Sequence, residues 1–177
     1  MKPTTSDLTG PHASTPTASI RWDSSWPESA KNESREELTT YLLERFGIQP
    51  SVLDEYHLFE NKKGWSILRK SETVPYGAHL KVGKVGLRAF RKVGRFIKPT
   101  TRFIQSFGRL ATKAVCRLNT AQLESLVFDG KIPVDLNLDK GYVILALEDD
   151  MVLGLGFYGH GTLHSQLPKS QIRAEML

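Results

Sequence analysis

The sequence predicts an α+β fold, in which a small N-terminal α+β unit is followed by a β pseudobarrel with two short helices. Apolar residues at a spacing of four indicate one amphipathic helix near residue 38, and a hairpin pattern follows it. Beyond residue 74, short alternating segments punctuated by glycine indicate curled strands. The chain has 177 residues, 40% of them hydrophobic, so we expect one domain, or one domain with an appendage.

The first segment, residues 1–33, is rich in Ser, Thr, Pro and Asn and has few large aliphatic side chains. Such a composition buries too little apolar surface to offset the entropy of ordering, so it predicts a disordered tail. Trp22 and Trp26 are its candidate docking points. The alternatives are that both rings pack loosely onto the domain or make no contact.

Residues 34–73 form the predicted α+β unit, which opens with a helix. The sequence of residues 34–37, Ser-Arg-Glu-Glu, is typical of a capping box, in which side chains satisfy the first backbone N–H groups. Apolar residues from Leu38 to Phe46 then recur every four positions, and Gly47 is a typical helix end. The helix is therefore expected to begin at Ser34.

The same unit continues with a second short helical segment and a β-hairpin. Pro50 favours the start of the helical segment, which is predicted over residues 51–56. Residues 57–60 and 65–68 are mainly apolar and flank the polar turn 61–64. Two such segments around a glycine-containing turn predict paired antiparallel strands.

The remaining residues, 74–177, form the predicted pseudobarrel. Alternating apolar and polar side chains predict strands over residues 85–90 and 111–118. Helices are predicted over residues 99–107, with proline in the first turn, and over residues 121–128, after a cap at Asn119 or Thr120.

A second hairpin is predicted near the C-terminal end. Residues 142–147 and 151–155 are almost continuously apolar, and the acidic residues 148–150 lie between them. An uninterrupted apolar strand is typical of a strand that is covered on both faces. We therefore expect both faces of this hairpin to be covered.

Charge is segregated along the chain. The sequence has 24 Lys and Arg against 19 Asp and Glu, yet no acidic residue lies between Glu72 and Glu124. Like charges without counter-charges repel one another, and a polyanion such as nucleic acid removes that cost. An anionic membrane surface and an acidic protein are the alternatives. The cationic residues of this window are Lys81, Lys84, Arg88, Arg91, Lys92, Arg95, Lys98, Arg102, Arg109, Lys113 and Arg117.

Composition also excludes several classes. A single cysteine, Cys116, forms no internal disulfide and supplies no cysteine-rich metal site. No run of about 18 apolar residues is present, and the first residues are polar, so neither a membrane span nor a secretory signal is expected. The sequence therefore predicts a cytoplasmic protein with no membrane association, no metal and no other cofactor.

Four candidate sites of familiar chemistry are only weakly supported by the sequence. Residues 154–159 match G-x-G-x-x-G, but too little chain follows for a dinucleotide site, so tight turns and close backbone packing are favoured. Residues 83–86 match the G-x-x-G loop of KH domains, but a strand pattern follows instead of a helix. His160 and His164 lack a third metal ligand, and Cys116 lacks an identifiable base.

Glycine, proline and apolar positions recur in a characteristic order across about residues 35–175. Through them the chain resembles the C-terminal PUA-like RNA-binding domain of the Nop/Sun/Fmu family of RNA 5-methylcytosine methyltransferases. In particular, it resembles small archaeal ribosome-biogenesis proteins that contain this domain without the catalytic one. The positions are Lys98-Pro99-Thr100-Thr101, Phe103, Phe107-Gly108, Gly141-Tyr142-Val143, Leu153-Gly154-x-Gly156, Gly161-x-Leu163 and Pro168-Lys169-x-x-x-Arg173.

The resemblance implies a PUA-like domain over 74–177 that binds structured RNA, ribosomal RNA or transfer RNA, in ribosome biogenesis or RNA modification. It does not imply methyl transfer, since the family's catalytic domain and its Pro-Cys nucleophile are absent and Val115 precedes the cysteine. We therefore expect no enzymatic activity and no catalytic residue. The predicted RNA-binding residues are Lys84, Arg88, Arg91, Lys92, Arg95, Lys98, Arg102, Arg109, Lys113, Lys169 and Arg173.

Two points stay open at this stage. The phenylalanines of the window, Phe90, Phe96, Phe103 and Phe107, are candidates for stacking on bases, but core packing is favoured because the last two lie four apart on one helix face. The alternative function is a protein-interaction subunit that brings a separate RNA-modifying enzyme or assembly factor to the pre-ribosome. In that case the tail would act as the docking arm.

Overall fold

Two five-stranded β-sheets organise the protein, and a computed structural model describes residues 20–94 and 96–168. The fold is α+β, with short helices packed against curled sheets, as the sequence predicts. The helices are α1 (Asn32–Phe46), α2 (Val74–Gly77), α3 (Thr101–Phe107) and α4 (Thr120–Phe128). Single 3₁₀ turns are formed by Pro50–Leu53 and Gly108–Leu110.

The first sheet is an antiparallel meander in which consecutive strands are neighbours, in the order β1-β2-β3-β4-β5. The hairpin predicted around the polar turn 61–64 is confirmed as β2 and β3, which extend into that turn up to Asn61 and from Gly64. The strands are β1 (Glu28–Ser29), β2 (Tyr56–Asn61), β3 (Gly64–Arg69), β4 (Leu87–Val93) and β5 (Phe96–Pro99).

The second sheet has the order β6-β8-β9-β10-β7, with β6 parallel to β8 and the other pairs antiparallel. The predicted C-terminal hairpin is confirmed as β8 and β9, and residues 143–146 are buried as expected for a strand covered on both faces. The strands are β6 (Val115–Leu118), β7 (Lys131–Pro133), β8 (Gly141–Leu147), β9 (Val152–Gly159) and β10 (Thr162–Ser165).

One of two hydrophobic clusters joins the two sheets. Helix α1 buries the stripe from Leu38 to Phe46, and this stripe belongs to the same cluster as Phe90 and Phe103. Ile144 and Leu155 from the second sheet belong to the same cluster. A second cluster packs the second sheet against α4. The core therefore includes residues on both sides of the predicted boundary at residue 74.

The start of α1 differs from the prediction. The helix begins at Asn32, Lys31 is its N-cap residue, and no side chain caps it. The predicted capping box is wrong because the Ser34 hydroxyl donates instead to Glu60 Oε2 of β2, at 2.7 Å. The helix end is confirmed at Gly47, whose φ of 65° is a conformation that favours glycine.

Two predicted strands are shifted. The segment predicted as a strand over residues 111–118 forms only β6, because Ala114 has a φ of 50° and interrupts the extended backbone. Likewise β4 begins at Leu87 instead of residue 85, because Gly86 has a φ of 58°. A Cβ atom at Gly86 would lie 2.1 Å from the Ile67 carbonyl oxygen, so only glycine allows the strands to approach here.

The two helices predicted in the second half of the chain are present as α3 and α4. Pro99 ends β5, and α3 begins after Thr100, whose hydroxyl accepts a hydrogen bond from the Phe103 N–H at 3.2 Å. Asn119 caps α4 in a complete capping box with Gln122, in agreement with the predicted cap.

Part of the predicted tail is described and packs onto the first sheet. The centre of the Trp22 ring lies 4.5 Å from the centre of the Trp26 ring and 5.0 Å from the centre of the Phe59 ring. The Trp26 indole N–H donates to the Leu80 carbonyl oxygen at 2.9 Å. Packing onto the domain is therefore what the structure shows for these tryptophans, while residues 1–19 lie outside the described residues and the domain limits stay predictions.

None of the helices in the described ranges is long and apolar enough to cross a membrane; the longest, α1, has 15 residues. Within the same ranges, no three His, Cys, Asp or Glu side chains cluster closely enough to hold a metal ion.

Candidate functional site

The hairpin of β4 and β5 concentrates the predicted cationic residues. Arg88, Arg91 and Lys92 lie on β4, and Lys98 lies on β5. Ala89 and Phe90 are fully buried and anchor β4 to the core, whereas Arg88, Arg91 and Lys92 are exposed and Lys98 is half-buried. A register shift opposite Trp65 and Ser66 sets which residues of β4 point inward. We call this hairpin, residues 87–94 and 96–99, the cationic hairpin.

Like charges face one another across the cationic hairpin. The register pairs Arg91 with Lys98, so two cationic side chains lie directly opposite on one face of the ladder. Such a pair destabilises the free protein, whereas a bound anion between the two groups is attracted to both. The pairing therefore creates a place where an anion is favoured.

Lys98 is the most constrained cation of the hairpin. Its ammonium group donates to Gln166 Oε1 at 2.6 Å and lies 5.5 Å from the centre of the Tyr142 ring. Partial burial, and to a lesser extent the neighbouring Arg91, lower the pKa of Lys98. The side chain is thus held in place beside the second sheet, with a charge that no carboxylate compensates within ion-pair distance among the described residues.

Lys92 is different because it has a structural partner. Its ammonium group lies 2.7 Å from Glu60 Oε1 and 4.7 Å from the centre of the Trp65 ring. The hydrogen bond from Lys92 lowers the pKa of Glu60, so this carboxylate stays charged. Of the predicted RNA-binding cations that the structure describes, Lys92 alone forms an ion pair.

The other predicted residues are exposed and distributed over several elements. Lys84 lies in the loop before β4, and Arg102 lies in α3. Arg109 borders a depression with Asp149 and Asp150, and Lys113 borders another with Glu44, Asp135 and Asp139. These two cations therefore have mixed-charge surroundings, unlike the hairpin. Three further predicted residues, Arg95, Lys169 and Arg173, lie outside the described residues.

Sequence reasoning missed two cations that the fold brings beside the hairpin. Lys62 and Lys63 form the turn between β2 and β3, and the Lys92 N–H donates to the Lys63 carbonyl oxygen at 3.2 Å. The next residue, Gly64, pairs directly with Arg91. The sequence predicts this turn. It does not predict that the turn lies beside β4, because the pairing of β3 with β4 is a long-range contact.

The four weakly supported candidate sites lie in strands, loops and turns of the fold. The glycines of residues 154–159 lie in β9, and a Cβ atom at Gly156 would lie 2.7 Å from the Leu163 side chain, so they serve close packing. Residues 83–86 lie in the loop before β4, with no helix after them. Cys116 is buried in β6, and burial raises the pKa of its thiol. His160 lies in the turn after β9, and His164 lies on β10.

The phenylalanines of the cationic window differ in burial. Phe90 and Phe103 are fully buried, and Phe107 packs against the same core, as favoured from the sequence. Phe96 is the exception, because 61% of its surface is exposed.

Fold and site together define an α+β protein of two five-stranded sheets with a cationic hairpin at one edge. No family model matches the chain, and no curated protein matches it. Among solved structures, the chain is similar to a hypothetical protein, PH0734.1, from the hyperthermophilic archaeon Pyrococcus horikoshii OT3. The TM-score is 0.45 and the identity 12%, over 73% of this chain and 80% of that chain. This level of similarity supports no inference about fold family or function.

Proposed function

We propose that the protein is a non-catalytic RNA-binding protein that recognises structured RNA, ribosomal or transfer RNA, in ribosome biogenesis or RNA modification. In this proposal the curled second sheet and the helices beside it form a PUA-like pseudobarrel, and the cationic hairpin contacts phosphates. The observation that carries the proposal is the pairing of Arg91 with Lys98 on one face of the ladder. Two opposed cations are unfavourable alone and favourable with a polyanion.

The hairpin cations supply affinity more than sequence selectivity. Contacts from lysine and arginine to phosphates release counterions, and this term does not depend on base identity. Selectivity on folded RNA then comes from shape and from contacts to 2′-hydroxyl groups. Arg88, Arg91 and Lys98 are the principal phosphate contacts in this proposal, because no carboxylate pairs with them among the described residues.

The test is the affinity for a structured RNA at several salt concentrations. We expect the logarithm of the association constant to fall steeply with the logarithm of salt concentration. The double variant Arg88→Glu/Arg91→Glu is expected to bind at least about tenfold more weakly, with a slope shallower by about one for each phosphate that the variant no longer neutralises.

The matched control is the double variant Lys70→Glu/Lys131→Glu, which changes the net charge equally at two exposed positions outside the cationic window. The control is expected to keep affinity and slope close to those of the wild-type protein. Equal losses in the two double variants would show that only net charge matters. Absence of salt-dependent RNA binding by the wild-type protein would contradict the proposed function.

A further inference from the structure

A cleft of about 670 Å³ opens between α1, the end of the cationic hairpin and the β8–β9 hairpin. This volume is in the range of small-molecule sites. Its walls are mainly aromatic and aliphatic, with a few polar groups at the margin. The apolar lining residues are Tyr41, Val93, Phe96, Ile97, Tyr142 and Phe157.

Helix α1 supplies one wall through a regular stripe. Glu37, Tyr41 and Arg45 are four residues apart and line the cleft, beside the stripe that α1 buries in the core. Arg45 fixes the opposite wall: its Nε donates to the Tyr142 carbonyl oxygen at 2.7 Å, and its Nη1 donates to the Asp139 carbonyl oxygen at 3.0 Å. The cleft is therefore a built feature of the fold.

The aromatic walls offer surfaces for stacking. The rings of Tyr142 and Phe157 meet edge to face, with centres 5.3 Å apart. Phe96, on β5, is largely exposed at the margin of the cleft. The phenol of Tyr41 is uncharged at neutral pH, and burial raises its pKa further above the ordinary value of 10.0. A flat, uncharged aromatic group matches this lining better than an aliphatic chain does, because stacked rings gain contact on a whole face.

The cleft is continuous with the opposed cations. Val93 pairs with Phe96, and Arg91 pairs with Lys98, so strand alternation places all four side chains on one face of the ladder. The two pairs are two residues apart, a distance of about 7 Å, which a nucleotide spans between its phosphate and its base. Lys98 also contacts Tyr142, a wall of the cleft.

We propose that the cleft receives one unpaired base of the RNA whose phosphates contact the cationic hairpin. This inference rests on the proposed function and adds a preference for RNA with an unpaired nucleotide. Stacking of a base on an aromatic side chain tolerates any base identity, so the cleft distinguishes unpaired from paired RNA instead of reading sequence.

The experiment compares two RNA hairpins with the same stem, one of which has a single bulged 2-aminopurine. We expect the bulged RNA to bind more tightly and its 2-aminopurine fluorescence to be quenched on binding. Phe96→Ala is expected to weaken binding of the bulged RNA by between about 5-fold and about 150-fold, without changing the affinity for the fully paired RNA.

Phe128→Ala is the matched control, since Phe128 is an exposed phenylalanine on α4, 77% accessible, and does not line the cleft. Phe96→Tyr keeps an aromatic ring and is expected to retain the preference for the bulge, whereas Phe96→Leu is expected to lose it. Circular dichroism and melting temperature establish that each variant folds.

The outcomes separate this inference from the proposed function. If both RNAs bind equally and Phe96→Ala changes neither affinity, the inference is wrong while the proposed function stands. If Phe96→Ala weakens both RNAs alike, the residue supports the hairpin instead of a base, and the inference is also wrong. If the wild-type protein binds neither RNA, the proposed function itself is overturned.

Discussion

Arg91 and Lys98 show how a single cross-strand pair reduces stability in favour of binding. Replacing Arg91 by glutamate converts a repulsive pair into an attractive one. We expect Arg91→Glu to raise the free energy of unfolding by roughly 0.2–1 kcal/mol, although the same change weakens RNA binding in the proposed function. Urea denaturation at low salt measures this difference.

Salt provides the control for this prediction. The stabilisation by Arg91→Glu should shrink in 1 M salt, since screening weakens interactions between charges that remain in contact with solvent. A variant that is less stable than the wild-type protein at low salt would show that Arg91 has a stabilising contact that outweighs its repulsion with Lys98.

His57 makes stability depend on pH. Burial first, and then the charges of Lys70 and Arg35, lower the pKa of His57 below its ordinary value of 6.5. The folded state thus binds this proton less tightly than the unfolded chain, so the contribution of His57 is fully present above pH 6.5 and is lost as the pH falls below it. We expect the free energy of unfolding to fall from about pH 7 towards pH 5.

The variant His57→Gln isolates that contribution. Its free energy of unfolding should vary less than that of the wild-type protein between about pH 7 and pH 5. The loss of the Glu60–Lys92 pair occurs separately, because the pKa of Glu60 is lowered from 4.5 and its protonation acts at more acidic pH. Parallel curves for the two proteins above pH 5 would contradict the assignment to His57.

At the scale of elements, the junction of β3 and β4 depends on one glycine. Gly64 has a φ of 138°, and a Cβ atom there would lie 2.2 Å from the Phe90 carbonyl oxygen. We expect Gly64→Ala to lower the free energy of unfolding by at least about 2 kcal/mol, since both backbone strain and a clash oppose it. Chemical denaturation measures the loss.

Gly94 offers the matched comparison. It also has a positive φ, 59°, but among the described residues beyond its chain neighbours no atom lies within 4 Å of a Cβ atom built there. Gly94→Ala should therefore cost only the conformational strain of about 1 kcal/mol. Equal losses at the two glycines would mean that the clash at Gly64 is relieved by a shift of β4.

Local patterns predicted most elements, and long-range contacts account for the differences. The hairpin β2–β3, the Asn119 cap of α4 and the buried strand β8 follow from nearby residues. The capping box at Ser34 failed because Glu60, distant in sequence, takes its hydroxyl hydrogen bond. The positions of Lys62 and Lys63 beside the hairpin were likewise unpredictable, since no local pattern specifies that β3 pairs with β4.

At the scale of the whole molecule, one hydrophobic cluster contains residues of both sheets. Phe103 is fully buried, and its ring centre lies 4.7 Å from that of Phe90 of the first sheet. Ile144 and Leu155 of the second sheet belong to the same cluster. We expect a single cooperative unfolding transition and a loss of roughly 3–5 kcal/mol for Phe103→Ala. The predicted boundary at residue 74 would then not separate two independently stable units.

The tryptophans allow this expectation to be measured. Trp22, Trp26 and Trp65 all lie in or against the first sheet, so their fluorescence reports that sheet, whereas far-ultraviolet circular dichroism reports both. Coincident denaturation curves from the two signals are expected. A fluorescence transition that precedes or follows the circular dichroism transition would show that the sheets unfold separately.

The meander of the first sheet has a consequence for the order of folding. Its five strands pair with their neighbours in the chain and all lie before residue 100, so the sheet can assemble early during synthesis. Ile144 and Leu155, which complete its core, belong to strands that come later. An early sheet therefore keeps an uncovered apolar face until β8 and β9 arrive, and during that interval the chain is most exposed to aggregation.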